Sequence, residues 1–432
     1  MALKRLLAAA LLIGVLSASA DDWADWRGPS RDGVWRETGL LDRFPPTGLE
    51  VSWRAPVAGG YSGPTVARGK VYVSDHIVEP SEQERIHCFD ASKGRKLWTH
   101  SYEAPYRGLS YGVGPRASVI VDGDRAFTLG AVGKLTALHA ETGEMAWSVD
   151  LTERFGIQKL LEWGFAAAPL VRGRAIYLVL GGYDGAAMTA LDRESGKELW
   201  RGPTEPGSYA APMMIRQAGK DVLVCWLGDR VVGVNPATGA EYWSVPFKRK
   251  QWVIGIATPA IQGQNLFLSS AIDGSMLVKL SADTLTAEKV WQRVGQNERT
   301  TDALHCLIST PVLDGKHIYG VDINGELRCL DAASGDRLWE NTTVTPRARW
   351  SAAHLVRNGD RYWILNERGE LIIARLSPAG YEEISRAPLL KPTMGQLPQR
   401  GGVVWSHPAY AGRKVFARND TELVCADLSA RR

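Results

Sequence analysis

Apolar and polar residues alternate along this chain in short runs, and Asp-Gly, Asn-Gly and Ser/Thr-Gly pairs punctuate the runs at regular intervals. The stretch from His305 to Trp339 shows the unit. An apolar run follows Pro311, then come Asp314-Gly315, HIYGVD, Asn324-Gly325, ELRCLD and Ser334-Gly335 ahead of a closing run at Trp339. Alternation with period two marks strands, and Asp-Gly and Asn-Gly favour tight hairpin turns whose twist matches them. The unit therefore predicts one antiparallel sheet of four short strands. The order recurs, with Gly123, Gly173, Gly219, Gly263, Gly359 and Gly412 at the first turn. Tryptophan closes it at Trp98, Trp147, Trp200, Trp243, Trp291 and Trp339. No unit carries the 3.6-residue stripe of an amphipathic helix. Repeats of this period and content predict a β-propeller.

Six blades end at those tryptophans. A seventh spans about Trp350 to Ile384, with Tyr381 to Ile384 in place of the tryptophan phrase. The C-terminal WSHPAYAGRKVFARNDTELVCADL holds only three strands, and LEVSWRAPV, Leu49 to Val57, carries Trp53 in the phase of the missing one. Pairing the two ends closes the ring and removes open sheet edges. The expected fold class is an all-β, eight-bladed β-propeller of four-stranded antiparallel blades. Residues 21–48 form an N-terminal extension packed on the propeller of 49–432.

Phrases such as LDRESGKELW (Leu191 to Trp200) then have a structural reading. The acid and Ser/Thr-Gly turn the chain into the outermost strand, and the tryptophan fills the wedge between blades. LSADTLTAEKVW lacks the glycine, so its outer turn should be longer. Cys88, Cys329 and Cys425 hold the phase occupied elsewhere by Ala137, Ala190, Gly233 and Ala374, a place for small buried side chains. Five cysteines, an odd number, include no C-x-x-C, so no metal is expected from them.

The first 20 residues follow different rules. Lys4 and Arg5 precede the apolar run Leu6 to Leu16 and the small triplet Ala18-Ser19-Ala20, a secretory leader with cleavage before Asp21. The protein is expected to be exported to the periplasm or beyond the cell. The run is too short for a permanent transmembrane helix, and no cysteine follows it to accept a lipid, so neither a membrane span nor a lipoprotein is expected. Losing Lys4 and Arg5 takes the basic count from 51 to 49 against 47 acids, a balance of +2. That argues against nucleic acid as a partner.

The repeated V-Y-V, D-G, L-x-A-L-D, T-G, L-W order resembles the pyrroloquinoline-quinone-like (quinoprotein-type) β-propeller repeat over essentially the whole mature chain. DWADWRGPSRDGVW and the C-terminal segment are similar to the ends of an exported bacterial branch of that superfamily. One implication is a dehydrogenase holding pyrroloquinoline quinone beside calcium, with an acidic base and a disulfide between adjacent cysteines. The chain has no adjacent cysteines, no matching acid–asparagine–acid set and no C-x-x-C-H haem motif. The other implication follows the non-catalytic, eight-bladed propeller subunit of the outer-membrane β-barrel assembly machine. The expectation is a binding or scaffolding protein without a cofactor, the alternatives being a quinone-dependent dehydrogenase of alcohols or sugars and a carbohydrate-processing enzyme.

Loops that enter the innermost strands should line the mouth of the central channel. They place Tyr61, Arg116, Trp163, Tyr209, His305, Trp350 and Trp405 at one phase, with Tyr111, Trp252, Arg299, Asp302, Arg349 and His407 nearby. A concave aromatic mouth with a few polar groups suits a small molecule or carbohydrate, and a loop face suits a protein partner. In VGQNERTTDALHC, Asp302 and His305 could form an acid–base pair if both point into the channel. The competing reading gives Thr300, Thr301 and Asp302 turn and capping bonds. Phase also predicts exposed rings at Trp163, Trp350 and Trp405 and buried ones at Trp147 and Trp339.

Overall fold

The computed structural model describes residues 22–430, so the leader lies outside the described residues. Eight four-stranded antiparallel sheets form the ring. Blades 1 to 7 cover residues 65–103, 120–150, 170–201, 213–246, 260–293, 312–341 and 353–388. Blade 8 joins three C-terminal strands, 409–427, to the N-terminal strand Glu50–Pro56, which pairs with Glu422–Asp427 and sets Trp53 opposite Cys425. A five-residue helix, Leu151–Phe155, is capped by Asp150 after blade 2.

The tryptophan phrase is a docking joint. The indoles of Trp53, Trp98, Trp147 and Trp200 stand over Gly94, Gly143, Gly196 and Gly239 of the following blade, where a Cβ would lie 2.5–2.7 Å from the ring. All four glycines have positive φ, so the turn and the close approach both call for glycine. Each indole N–H donates to the facing turn: Trp53 to the Ala91 carbonyl at 3.0 Å, Trp98 to Ala140 at 3.1 Å, Trp147 to Arg193 at 3.1 Å. Blade 5 is the exception. Four more residues separate Leu277 from its partner Trp291 than separate Cys88 from Trp98, but they extend the paired strands. The turn between Leu280 and Ala287 spans six residues, as does that between Phe89 and Lys96, so the longer outer turn expected from the missing glycine does not form. There Gln217 bridges, accepting from Trp243 at 2.9 Å and donating to Thr286 O at 2.7 Å. Trp147 and Trp339 are only half-buried, contrary to their predicted burial, because the joint sits at the rim of the ring. All five cysteines are free and buried.

Residues 22–49 run across one face of the ring. Asp22 accepts from the Arg68 N–H and Glu37 from the Gly412 N–H, both in turns between an innermost strand and its neighbour. Asn358 donates to the carbonyls of Trp35 and Glu37 in the corresponding turn of blade 7. Those turns lie opposite the loops that link blades, so the arm closes the face away from the linking loops. Trp23 and Trp35 are buried against blades 1, 7 and 8. Arg31, 1% exposed, enters the channel, pairs with Asp25 at 2.8 Å and donates to the Pro212 carbonyl.

Candidate functional site

With one face closed by the arm, the channel opens at the other, and the mouth encloses a cavity of about 190 Å³. Among the residues named from phase, Tyr61, Arg116, Trp163, Tyr209, Arg349, Trp350, Trp405 and His407 line it, with Tyr111 and Trp252. Each comes from a loop or strand start at the inner edge of a blade, so the ring converges their side chains. Trp26 from the arm reaches the same cavity, its ring edge-on to His407 at 4.5 Å and its N–H donated to Thr258 at 2.8 Å. The walls between are apolar, notably Ile254, Ile256, Leu307, Ile308 and Ile323.

Aromatic rings dominate the opening. Tyr111 lies edge-on to Trp163 at 6.3 Å and to Trp350 at 6.1 Å. Tyr111 and Trp350 hold positive φ, 57° and 66°, a costly backbone for bulky residues that clusters at functional sites. Trp405 is buried rather than exposed: its backbone N–H donates to the Gln396 side-chain oxygen at 2.6 Å, and the Gln396 amide in turn donates to the Gly60 carbonyl at 2.7 Å. The buried indole nitrogen of Trp405 has no acceptor.

The charges are few. Glu298 binds Arg349 at 2.6 Å, and the Arg349 guanidinium covers the Trp350 ring at 4.3 Å. Arg116 lies over Tyr61 at 5.2 Å and Tyr106 at 5.8 Å and donates to the carbonyls of Gly114, Ser110 and Tyr111. Burial lowers its pKa. The two imidazoles at the floor are neutral: burial takes His354 down to about 4 and His407 down to about 3. His407 Nε2 accepts from the Gly63 N–H at 3.0 Å and sits 2.8 Å from the Ser118 hydroxyl. His354 Nε2 donates to the Trp405 carbonyl at 2.8 Å.

Asp302, His305 and Arg299 are not brought into the cavity. Arg293 holds both oxygens of Asp302 at 2.9 Å, drawing it away from the channel. His305 is 1% exposed, with Nδ1 bonded to the Ala271 carbonyl at 3.1 Å and Nε2 accepting from the Gly295 N–H at 3.2 Å. Both ring nitrogens are therefore occupied, and the acid–base pair does not form. The loop's turn is made by Asn297, which accepts from the N–H groups of Arg299 and Thr300. Arg299 is exposed at an adjoining hollow that shares Glu298 and Arg349 with the mouth. Trp26 and His354 were not foreseen, since Trp26 lies outside the repeat and His354 sits inside a strand.

Known proteins share this architecture. A quinohemoprotein alcohol dehydrogenase of Pseudomonas putida is 25% identical over 67% of this chain and 41% of its own length. The outer membrane protein assembly factor BamB of Burkholderia pseudomallei is 22% identical over 62% of this chain and 68% of its own. A europium-containing methanol dehydrogenase superposes with a TM-score of 0.67 at 12% identity, covering 94% of this chain and 89% of that one, a likeness of fold. A family model described as outer membrane protein assembly factor BamB matches residues 82–341 and 217–430. The eight blades and these two overlapping matches together place the chain in the pyrroloquinoline-quinone-like β-propeller family, to which it belongs.

Proposed function

We propose that the protein is an exported propeller with a binding or scaffolding role, whose ligand, or an apolar group of a protein partner, seats in the channel mouth. The observation that carries this reading is the aromatic cavity itself: open at the linking-loop face, floored by Trp26, and ringed by two bulky residues in left-handed backbone. Concave, mostly apolar cavities with a few polar groups are the usual form of a small-molecule site. The BamB relatives, assembly factors by name, give a binding or scaffolding role a precedent. The titratable groups of the lining support it too. Glu298 is engaged by Arg349, and both imidazoles are spent on internal hydrogen bonds.

The cofactor implied by the dehydrogenase relatives does not fit this lining. Three carboxylates and a calcium ion call for several cationic donors and several oxygen ligands. Arg116, Arg349 and Glu298 are the only arginines or acids around the cavity among the described residues, and two of them bind each other. No cluster of three His, Cys, Asp or Glu among the described residues could hold a metal ion. A carbohydrate is likewise a poor match for walls of isoleucine and leucine.

The test is a thermal-shift and fluorescence screen of small aromatic and aliphatic compounds, with pyrroloquinoline quinone plus calcium as one arm. Hits should vanish in Trp163→Ala and Trp350→Ala while both variants stay folded. Stoichiometric quinone binding with dye-linked alcohol oxidation would replace this reading by the dehydrogenase one. Intact mass of the exported protein should begin at Asp21.

A further inference from the structure

The cavity has a charge imbalance. Arg349 is neutralised by Glu298 at 2.6 Å, and the floor imidazoles are uncharged at neutral pH. Arg116 is the remaining ion. Among the described residues it has no carboxylate in salt-bridge range: its neighbours are the rings of Tyr61 and Tyr106 and three backbone carbonyls. The nearby buried Glu84 is occupied by the hydroxyls of Tyr102 and Tyr106 and by the Ala131 N–H. A guanidinium has five N–H donors, and three here meet protein carbonyls, which leaves the rest facing solvent or a ligand. A half-buried guanidinium beside aromatic rings, with no ion-pair partner in range, gains charge-assisted hydrogen bonds from a bound anion.

We infer that the mouth is built for an amphiphilic monoanion, an apolar ring or short chain seated between Trp163 and Trp350 that brings one carboxylate to Arg116. This rests on the reading of the cavity as a ligand site and names the ligand's chemistry. One unpaired cation matches one negative charge; a second or third carboxylate would be buried without a partner. The size agrees, because a dry cavity of about 150 Å³ admits benzene, and this one is about 190 Å³. The Arg116 guanidinium is tied to the strained Tyr111 segment through its bonds to the Ser110 and Tyr111 carbonyls, so guanidinium and ring are presented together. A free organic acid and the C-terminal aromatic residue of a peptide share this chemistry.

Calorimetric titration with 3-phenylpropionate and with its neutral amide tests the inference, alongside Gly-Gly-Gly-Phe with a free or amidated C-terminus. The acid should bind at least about tenfold more tightly than the amide, the usual worth of a charge-assisted hydrogen bond. Arg116→Gln should erase that preference while leaving the amide's affinity in place, and Arg116→Lys should keep part of it. If Arg116→Gln does not fold, the acid–amide comparison in the parent and in Arg116→Lys still decides. Binding of the free-carboxylate peptide as well as the acid would identify a chain end as the source; binding of the acid alone would identify a small metabolite. Equal affinity for acid and amide would overturn the inference while leaving a ligand-binding cavity. Failure of both to bind would overturn the cavity reading with it.

Discussion

Replacing Gly94 by alanine isolates the energy of one blade joint. Gly94 has φ 66°, and a Cβ there would lie 2.5 Å from Cδ2 of Trp53, itself 8% exposed in the strand that closes the ring. Gly69 has φ 70° with nothing within 4 Å of the same added carbon. Both substitutions force alanine into left-handed backbone, about 1–2 kcal/mol. Only Gly94→Ala also overpacks a joint, adding about 1–3 kcal/mol. Urea unfolding followed by circular dichroism should therefore separate the two variants by that margin. Trp53→Ala alone should cost about 3–5 kcal/mol as a large-to-small change. In the Trp53→Ala background Gly94→Ala should fall to the strain cost alone, since the clash is gone and only the backbone term remains. Equal destabilisation by Gly94→Ala and Gly69→Ala would refute the joint as the reason for the repeated phrase.

Three other expectations follow from the same structure. His354 and His407 have folded pKa values of about 4 and about 3, below the ordinary value of 6.5, so the unfolded chain binds more protons as the pH falls through that window. Stability contributed by their neutral forms is present above pH 6.5 and lost toward pH 4, about 3 kcal/mol for His354, and His354→Gln should flatten the profile in urea melts. All five thiols are buried, with pKa values raised by burial to about 11 for Cys329 and about 12 for Cys88, Cys306 and Cys425, so Ellman's reagent at pH 8 should find none in the native protein and five in guanidinium. Deleting residues 50–56 unpairs Glu422–Asp427 and removes Trp53, and should abolish cooperative unfolding; a variant melting like the parent would contradict ring closure by that strand.

The ring was legible because its signals repeat. A glycine in a tight turn and a tryptophan at fixed distance act locally, so the register of the closing strand could be read from Trp53 alone. Phase likewise locates Tyr61, Trp163 and Trp350 at one mouth. It does not settle which partner captures a polar side chain. Asp302 is taken by Arg293 and His305 by the Ala271 carbonyl, contacts that depend on how a loop folds back rather than on where it begins. Burial within one phase also varies: Trp405 is covered by the Gln396 loop, whereas Trp147 and Trp339 stand at the open rim. The arm has no repeat to set its phase, so Trp26 at the cavity floor carried no sequence signal. The isoleucines of the wall read like any core residue.

The 16 tryptophans themselves report most directly on the central claim that the mouth binds a ligand. Fluorine NMR of 5-fluorotryptophan protein, assigned by single substitutions, separates the cavity rings from the blade joints during titration with indole and with 3-phenylpropionate. The account predicts shifts for Trp26, Trp163, Trp252, Trp350 and Trp405, which line the cavity, with Trp98, Trp147, Trp200 and Trp339 unmoved. Shifts among the blade tryptophans, or none in the cavity set at saturating probe, would contradict it.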